Sequence, residues 1–406
     1  MRILIVSQYF WPETFRVNDI CAGLVKRGHL VTVLTGIPNY PEGKFFPGYT
    51  LFRNTRQEYQ GARIIRVPLI PRGSGGNLRL ILNYLSFVIC GTLSAPLVCR
   101  EKYDAIFVFG ISPILMAIPA IFLRKIRGIP VVLYVLDLWP ESISAVGAIK
   151  SPFFLKAVRK IVSFIYRHSD LILVSSPGFS GRIREMGIDG ARIKYWPQWA
   201  EDQYKIVGAD ADSPQSREMP SGFRIMFAGN IGAAQDFTTI IGAAERLKDT
   251  LDIHWVIVGD GRMKPWVEEQ VRARGLEKTV HIIGRRPVET MPDYFALADA
   301  LLVSLKKEQI FSLTLPAKIQ SYMACGRPIV ACLDGEGARL IRESGAGISC
   351  PAGDPAALAE AIVAMYRSTD AQKKEMGARG RAHFEKHFKR DVLLTELEIM
   401  LAEQKK

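Results

Sequence analysis

The sequence predicts an α/β protein made of two doubly wound, Rossmann-like domains in series. Short Val/Ile/Leu-rich runs alternate with amphipathic stretches through residues 1–200, the pattern of parallel strands covered on both faces. The same alternation restarts after residue 222. Between the two arrays, Asp202–Gly222 is rich in Asp, Ala, Ser and Pro and lacks apolar periodicity, so it reads as a linker. A length of 406 residues, with 48% apolar and 23% charged residues, suits two cores and excludes a disordered chain.

In chain order, Arg2–Ser7 reads as a strand, Val17–Arg27 as a helix and Leu30–Thr35 as a second strand. Arg63–Pro68, Ala105–Phe109, Val131–Val135 and Leu171–Ser175 complete the first array. In the second, strands are expected at Arg224–Ala228, His254–Val258, Val280–Ile283, Ala300–Val303 and Ile329–Ala331. The last helix, Asp391–Gln404, carries Leu393, Leu394, Leu397 and Met400 at helical spacing and must pack against something. The expected organisation is therefore a domain over 1–200, a linker over 201–222, a second domain over 223–388, and a C-terminal segment 389–406 that docks back on the first domain.

The net charge of +13 is unevenly placed. Residues 1–200 hold 25 Lys/Arg against 11 Asp/Glu, whereas the remainder is nearly balanced at 28 against 29. A basic half attracts an anionic partner, and nucleic acid, an anionic bilayer and a diphosphate-bearing substrate are the candidates. Leu80–Cys99 is a 20-residue stretch without charge, flanked by Arg79 and Arg100. Its length allows spanning, but Asn83, Ser86, Thr92, Ser94 and Pro96 favour a helix lying in the membrane interface. Ala105–Leu123 is also uncharged, but Gly110, Pro113 and Pro119 fit it to a strand, turn and buried helix. The six cysteines show no paired-ligand spacing and lie in apolar segments, which suits reduced thiols in the cytoplasm. The N-terminus enters a strand at once, and no secretory signal is expected there.

Three glycine-bearing turns follow strands of the second array: Gly229-Asn230-Ile231-Gly232, Gly259-Asp260-Gly261 and Gly284-Arg285. Glycine lets backbone N–H groups approach phosphate oxygens closely, and ligands of open parallel sheets bind beyond the carboxyl ends of strands. Neither a dinucleotide fingerprint nor a Walker A loop is present, which argues against an oxidoreductase or an NTPase. Pro316 and Gly326 bracket a short helix with Lys318 in its first turn. A cation there opposes the helix dipole unless an anion binds at that end. Asp210-Ala211-Asp212 and the His383/His387 pair lack further ligands, so no metal site is expected.

Gly28-His29 before a strand, Gly259-Asp260-Gly261, Gly284-Arg285 and Met323-Ala324-Cys325-Gly326-Arg327-Pro328 together resemble the retaining GT-B glycosyltransferases of family 4, over essentially the whole chain. Ser7–Glu13, Pro38–Gly43, Asp137–Ser142 and Pro316-Ala317-Lys318 further resemble bacterial O-antigen and capsule enzymes that transfer N-acetyl-L-fucosamine. The resemblance implies two domains facing a central cleft. It also implies a nucleotide-sugar donor, UDP-linked by expectation, and an undecaprenyl-diphosphate-linked saccharide acceptor. No cofactor and no nucleic acid are expected, and the enzyme would work on the cytoplasmic face of the membrane. It departs from the family pattern at named places. Ser321 stands where relatives carry the second glutamate of a pair, and the first falls near Glu308 or Gln309. Asn230 and about Gln235 replace diphosphate-gripping Arg and Lys, and Leu136 replaces a histidine before Asp137. The cations left for a diphosphate are Lys318 with Arg285 or Arg286.

The expected catalytic residues are therefore Asp137, Lys318 and Glu308. Donor contacts are expected from Gly229, Asn230, Gly232, Gly259, Gly261, Gly284, Arg285 and Ser321. Acceptor contacts are expected from Arg16, Asn18, Asn39, Tyr40, Glu141 and Arg72. A nucleoside diphosphate leaves as an anion while the sugar turns cationic, so fixed positive charge at the diphosphate is the main requirement. Two other readings fit parts of the sequence. One is a GT-B nucleotide-sugar epimerase, which needs no membrane contact. The other is a non-catalytic nucleotide-sugar-binding subunit of a polysaccharide assembly complex, which would tolerate loss of the glutamate pair. A nucleic-acid binder would use the basic half but not the phosphate-type turns.

Overall fold

The computed structural model describes residues 1–73, 76–142, 151–250 and 252–405, and the chain divides into two compact units. The first is Met1–Trp196 together with Leu394–Lys406, and the second is Pro197–Leu393.

The first unit is built on an eight-stranded sheet. Its strands are β1 (Arg2–Val6), β2 (Leu30–Gly36), β3 (Arg56–Tyr59), β4 (Ala62–Val67), β5 (Ala105–Gly110), β6 (Val131–Val135), β7 (Leu171–Val174) and β8 (Ile193–Tyr195), in the order β3-β4-β2-β1-β5-β6-β7-β8. All neighbours are parallel except β3 and β4. The chain winds outward from β1 through β2, then returns to β5 on its other side, so β1 and β5 flank the switch point where such sheets bind ligands.

The second unit carries β9 (Phe223–Ala228), β10 (Ile253–Val258), β11 (Val280–Gly284), β12 (Ala300–Ser304), β13 (Ile329–Cys332) and β14 (Gly347–Cys350) in the order β11-β10-β9-β12-β13-β14. Every described pairing in it is parallel. Strand alternation feeds two cores, one on each face. Met226, Val256 and Val258 pack with Tyr322, Met323 and Phe384. Phe227, Trp255 and Ile257 pack with Ile240, Val267 and Ile362 on the other face. The switch point lies between β9 and β12.

The stretch expected as a linker, 201–222, groups with the second unit. It is anchored by Glu218, which accepts from Arg286 Nη2 at 3.0 Å and Tyr294 OH at 2.6 Å. The C-terminal helix, Arg390–Glu403, crosses the division, and its last turns belong to the first unit. Leu397 and Leu401 are fully buried. Glu398 accepts from Arg27 at 2.8 Å and contacts His29 Nε2 at 2.6 Å, and Lys405 reaches Asp104 at 2.9 Å.

One helix among the described residues, Leu78–Val98, is long and apolar enough to cross a membrane. One side of it belongs to the unit's interior: Asn83, Phe87 and Ala95 are buried, and Asn83 accepts from Gln8 Nε2 at 2.7 Å. The opposite side exposes Leu78, Ile81, Leu85, Ile89, Leu93 and Leu97. The six cysteines are free.

Candidate functional site

In the second unit, the three glycine turns are stitched side by side beyond the carboxyl ends of β9, β10 and β11. Gly259 N donates to Gly284 O at 2.9 Å, Gly229 N to Val258 O at 2.8 Å, and Ile231 N to Asp260 O at 2.8 Å. Only glycine permits this spacing, because a Cβ on Gly259 would lie 1.9 Å from Gly229 O, with φ at +152°. A Cβ on Gly261 would lie 2.3 Å from Ile231 O.

Lys318 is the next layer. A Cβ on Gly229 would meet its Cε at 2.8 Å and its Nζ at 3.0 Å. The lysine sits in the first turn of the Ala317–Ala324 helix, which Tyr322 pins to β9 by accepting from Ala228 N at 3.1 Å. Its Nζ is buried, 3.7 Å from the Phe227 ring centroid, and has no hydrogen-bond partner. Burial alone pushes its pKa down to about 7, and no charged neighbour contributes. An ammonium in this place is stabilised by one aromatic face and nothing else until an anion arrives.

The other donor candidates are less uniform. Asn230 is exposed, and Gly232 packs between its amide and that of Gln235. Gln235 Oε1 is itself buried without a partner. Ser321 lies three residues from Lys318, on the same side of the helix, with its hydroxyl 3.4 Å from Ala317 O. Arg285 is exposed. Arg286 is not available for a diphosphate, because Glu218 and Tyr294 hold its guanidinium. Glu308 is exposed at the start of the Gln309–Leu313 helix, where its carbonyl accepts from Phe311 N. No bond among the described residues joins its carboxylate to Lys318. Lys264, which no motif marks in the sequence, also reaches the turns: its Nζ would be 3.9 Å from a Cβ on Gly284. A cleft of about 470 Å³, equally invisible in the sequence, opens at the start of the Glu336–Ser344 helix, lined by Asp334, Gly335, Arg339 and Arg342.

In the first unit, the loops after β1, β2 and β4 meet around Arg72. Its Nη1 donates to Tyr9 OH at 3.1 Å, and its guanidinium lies 5.0 Å from the centroid of Tyr40. Phe15 stacks on Tyr9 at 5.2 Å, giving a cationic and aromatic cluster suited to sugar faces and phosphate. Glu13 ties two loops together by accepting from Phe10, Asn39 and Tyr40 N at 3.2, 2.8 and 2.7 Å. Burial pushes its carboxyl up to about 7, against those bonds and Arg66. Glu13 closes the Ser7–Glu13 motif, but two of its three partners, Asn39 and Tyr40, lie 26 and 27 residues away, so its role in tying the loops together is not visible in the sequence.

Two acceptor expectations need correction. Asn39 is fully buried, and its amide is spent on Ile37 O and Arg72 N, so it positions the Arg72 loop rather than touching a ligand. Asn18 likewise accepts from Trp11 N at 3.0 Å and donates to Glu13 O at 2.7 Å, fixing the first loop. Arg16 begins the Arg16–Lys26 helix and acts electrostatically on Tyr134. Asp137 accepts from Ser112 Oγ at 2.8 Å, and that hydroxyl accepts from Trp139 Nε1 at 2.9 Å, joining the loops after β5 and β6. No bond among the described residues joins Glu141 to the Arg72 cluster; its field acts on Tyr166 and Arg182.

Residues 222–368 match the family model for glycosyl transferases group 1, and residues 14–199 match the glycosyl transferase 4-like domain. A putative colanic acid biosynthesis glycosyl transferase of Escherichia coli strain K12 is 25% identical over 338 residues, covering 80% of this chain and 82% of the relative. A probable glycosyltransferase of Pseudomonas aeruginosa is 28% identical over 277 residues, covering 66% and 68%. Among solved structures, Anabaena HepE in complex with UDP superposes with a TM-score of 0.71 at 17% identity, covering 99% of this chain and 100% of that one.

Proposed function

This chain is a glycosyltransferase of the GT-B fold, and from that premise we propose that it is a retaining enzyme of surface-polysaccharide assembly. In this reading it moves a sugar from a nucleoside diphosphate to a lipid-linked saccharide. The donor is UDP-linked, and the sugar is N-acetyl-L-fucosamine on the strength of the motif resemblance. The work is done at the cytoplasmic face of a membrane, which the apolar side of the Leu78–Val98 helix touches in-plane.

The observation that carries the reading is Lys318: a buried, unpartnered amine set against the stacked glycine turns. Burial lowers its pKa to about 7, and a bound diphosphate would hold it in the charged form. When the bond from the anomeric carbon to the phosphate breaks, the electron pair stays on the diphosphate and charge builds there. A fixed cation in a site of low dielectric stabilises that charge without reorganising. The Gly229, Gly259 and Gly261 N–H groups are spent within the turns, so the turns serve by letting the diphosphate approach closely and Lys318 carries the charge. This reading invokes no metal. In the first unit, Asp137 orients the acceptor hydroxyl and Arg72 meets the carrier diphosphate, with Tyr9 and Tyr40 holding its guanidinium.

The test is transfer of label. The protein is incubated with membranes bearing lipid-linked acceptor and a panel of labelled UDP, GDP and dTDP sugars, with and without chelator. Acceptor-dependent appearance of label in lipid is expected with a UDP sugar, unchanged by chelator. Interconversion of the free nucleotide sugar without acceptor would favour an epimerase, and binding without turnover would leave only a carrier.

A further inference from the structure

Outside the sites described above, the most unusual surface of the first unit is the Pro152–Arg167 helix. It has two exposed stripes beside its buried one. Phe153, Ala157, Ile161 and Phe164 recur at spacings of three and four and share one face. Phe153 is 84% exposed. Lys156, Arg159, Lys160 and Arg167 fall on the adjoining face, all exposed, and none has a bonded acidic partner among the described residues. They line a groove of about 660 Å³ closed on its far side by Met186 and Gly187. The one acid there, Glu185, is engaged with Arg182 at 2.9 Å.

The apolar stripe does not stand alone. Leu85 and Val88 of the Asn77–Val98 helix, Ile118, and Ile161 and Phe164 line a shared hollow of about 420 Å³, and Lys160 borders both it and the basic groove. The apolar surface thus runs from Leu78, Leu85 and Leu93 across to Phe153 and Phe164, with cations along one edge. Soluble acidic proteins and nucleic acids would use the cations but leave the ridge in water. A bilayer uses both: apolar side chains enter the headgroup–acyl boundary, and long basic side chains reach phosphates at the rim.

Resting on the membrane reading above, the geometry points to Pro152–Arg167 as a second membrane-contact helix whose basic groove holds the phosphates of anionic lipids. Together with Asn77–Val98 it sets a two-helix plane on the bilayer, where a single apolar helix leaves rotation about its axis free. Each basic residue near an anionic surface contributes roughly fivefold in partitioning, so three charge reversals remove on the order of a hundredfold or more.

Co-sedimentation of the full chain with phosphatidylcholine vesicles, with and without phosphatidylglycerol, tests this. The variants are Lys156→Glu/Arg159→Glu/Lys160→Glu for the groove and Leu85→Ser/Ile89→Ser/Leu93→Ser for the Asn77–Val98 helix. The expected result is that wild type prefers phosphatidylglycerol vesicles and that the groove variant loses that preference by about a hundredfold. Its urea midpoint and UDP binding should be retained. If wild type binds neither vesicle, the membrane reading itself falls. If wild type binds and only the Leu85/Ile89/Leu93 variant is impaired, membrane contact stands and the groove assignment is overturned. Displacement from vesicles by inorganic phosphate at matched ionic strength would make the groove a small-anion site. Loss of self-association in the groove variant, in vesicle-free solution, would make it a contact between copies. Either result overturns the proposal.

Discussion

Replacing Lys318 by methionine should make the protein more stable and less able to bind its donor. The stability change follows from burial. The ordinary lysine pKa near 10.4 belongs to the unfolded chain, and burial lowers the folded value to about 7. Between these values the unfolded state binds a proton that the folded state does not, so stability rises with pH across the window, reaches its full value above about 10.4 and is lowest below 7. At pH 7 the deficit is about 4 kcal/mol from the proton linkage. The Phe227 face, 3.7 Å from Nζ, returns about 1–2 kcal/mol to the cation. Lys318→Met, which keeps the stem packed and removes the charge, should therefore gain roughly 2–3 kcal/mol at pH 7. That gain should shrink toward zero near pH 10. UDP affinity should fall by tenfold to a hundredfold, the worth of a charge-assisted hydrogen bond. Urea denaturation of both proteins at several pH values, with calorimetric titration of UDP, measures all three. A methionine variant that is less stable at pH 7, or whose advantage does not change with pH, would remove the charged, unpartnered lysine from the argument.

Other outcomes are equally definite. Gly259→Ala places a Cβ 1.9 Å from Gly229 O, so the stacked turns must part; a loss of about 3 kcal/mol in denaturant titration is expected, together with loss of UDP binding. Asp137→Asn keeps the acceptor for Ser112 Oγ, so thermal stability should shift little while transfer falls by about a hundredfold. Leu397→Ala opens a void under the fully buried end of the C-terminal helix and should cost about 3 kcal/mol. Burial pushes the Cys21, Cys99 and Cys325 thiols up to about 12, so iodoacetamide at pH 8 should leave these three unmodified until urea is added, as peptide mass mapping would show.

The strands that were legible in the sequence are those with continuous apolar runs, such as Val131–Val135, because both faces of a parallel sheet are covered. Three strands were not. Arg56–Tyr59 is polar and antiparallel at the sheet's edge, Ile193–Tyr195 is three residues long, and Gly347–Cys350 is only half-buried. Edge strands need few apolar residues, so their pattern falls below what periodicity detects. The glycine turns were legible as a group because close backbone stacking forbids a Cβ whatever else surrounds it. Lys318 was legible through its conflict with the helix dipole, but its seat on Phe227 was not, since 91 residues separate them. The pairing of Glu218 with Arg286 and Tyr294 was hidden for the same reason: Glu218 sits in a stretch without periodicity, 68 and 76 residues from its partners.

The excess of basic residues in the first half pointed to an anionic partner, but the structure divides that charge into two kinds. Arg66 donates to Trp11 O at 2.6 Å and Gly36 O at 3.3 Å, Arg127 to the carbonyls of Pro96 and Cys99, and Arg124 pairs with Asp170 at 2.6 Å. Arg66 and Arg127 satisfy carbonyls of loops and a helix end, and Arg124 neutralises the partly buried Asp170 carboxylate. They add to the net charge but are held inside the unit. Lys156, Arg159, Lys160 and Arg167 have no such duty, and they share one exposed helix face beside an apolar ridge. A count by halves therefore overstates how much charge is free to meet a surface and says nothing of where it lies. The two kinds separate under mutation. Removing Arg66 or Arg127 should lower stability by leaving carbonyls unpaired, whereas removing the groove cations should leave stability unchanged and act only on what the surface binds.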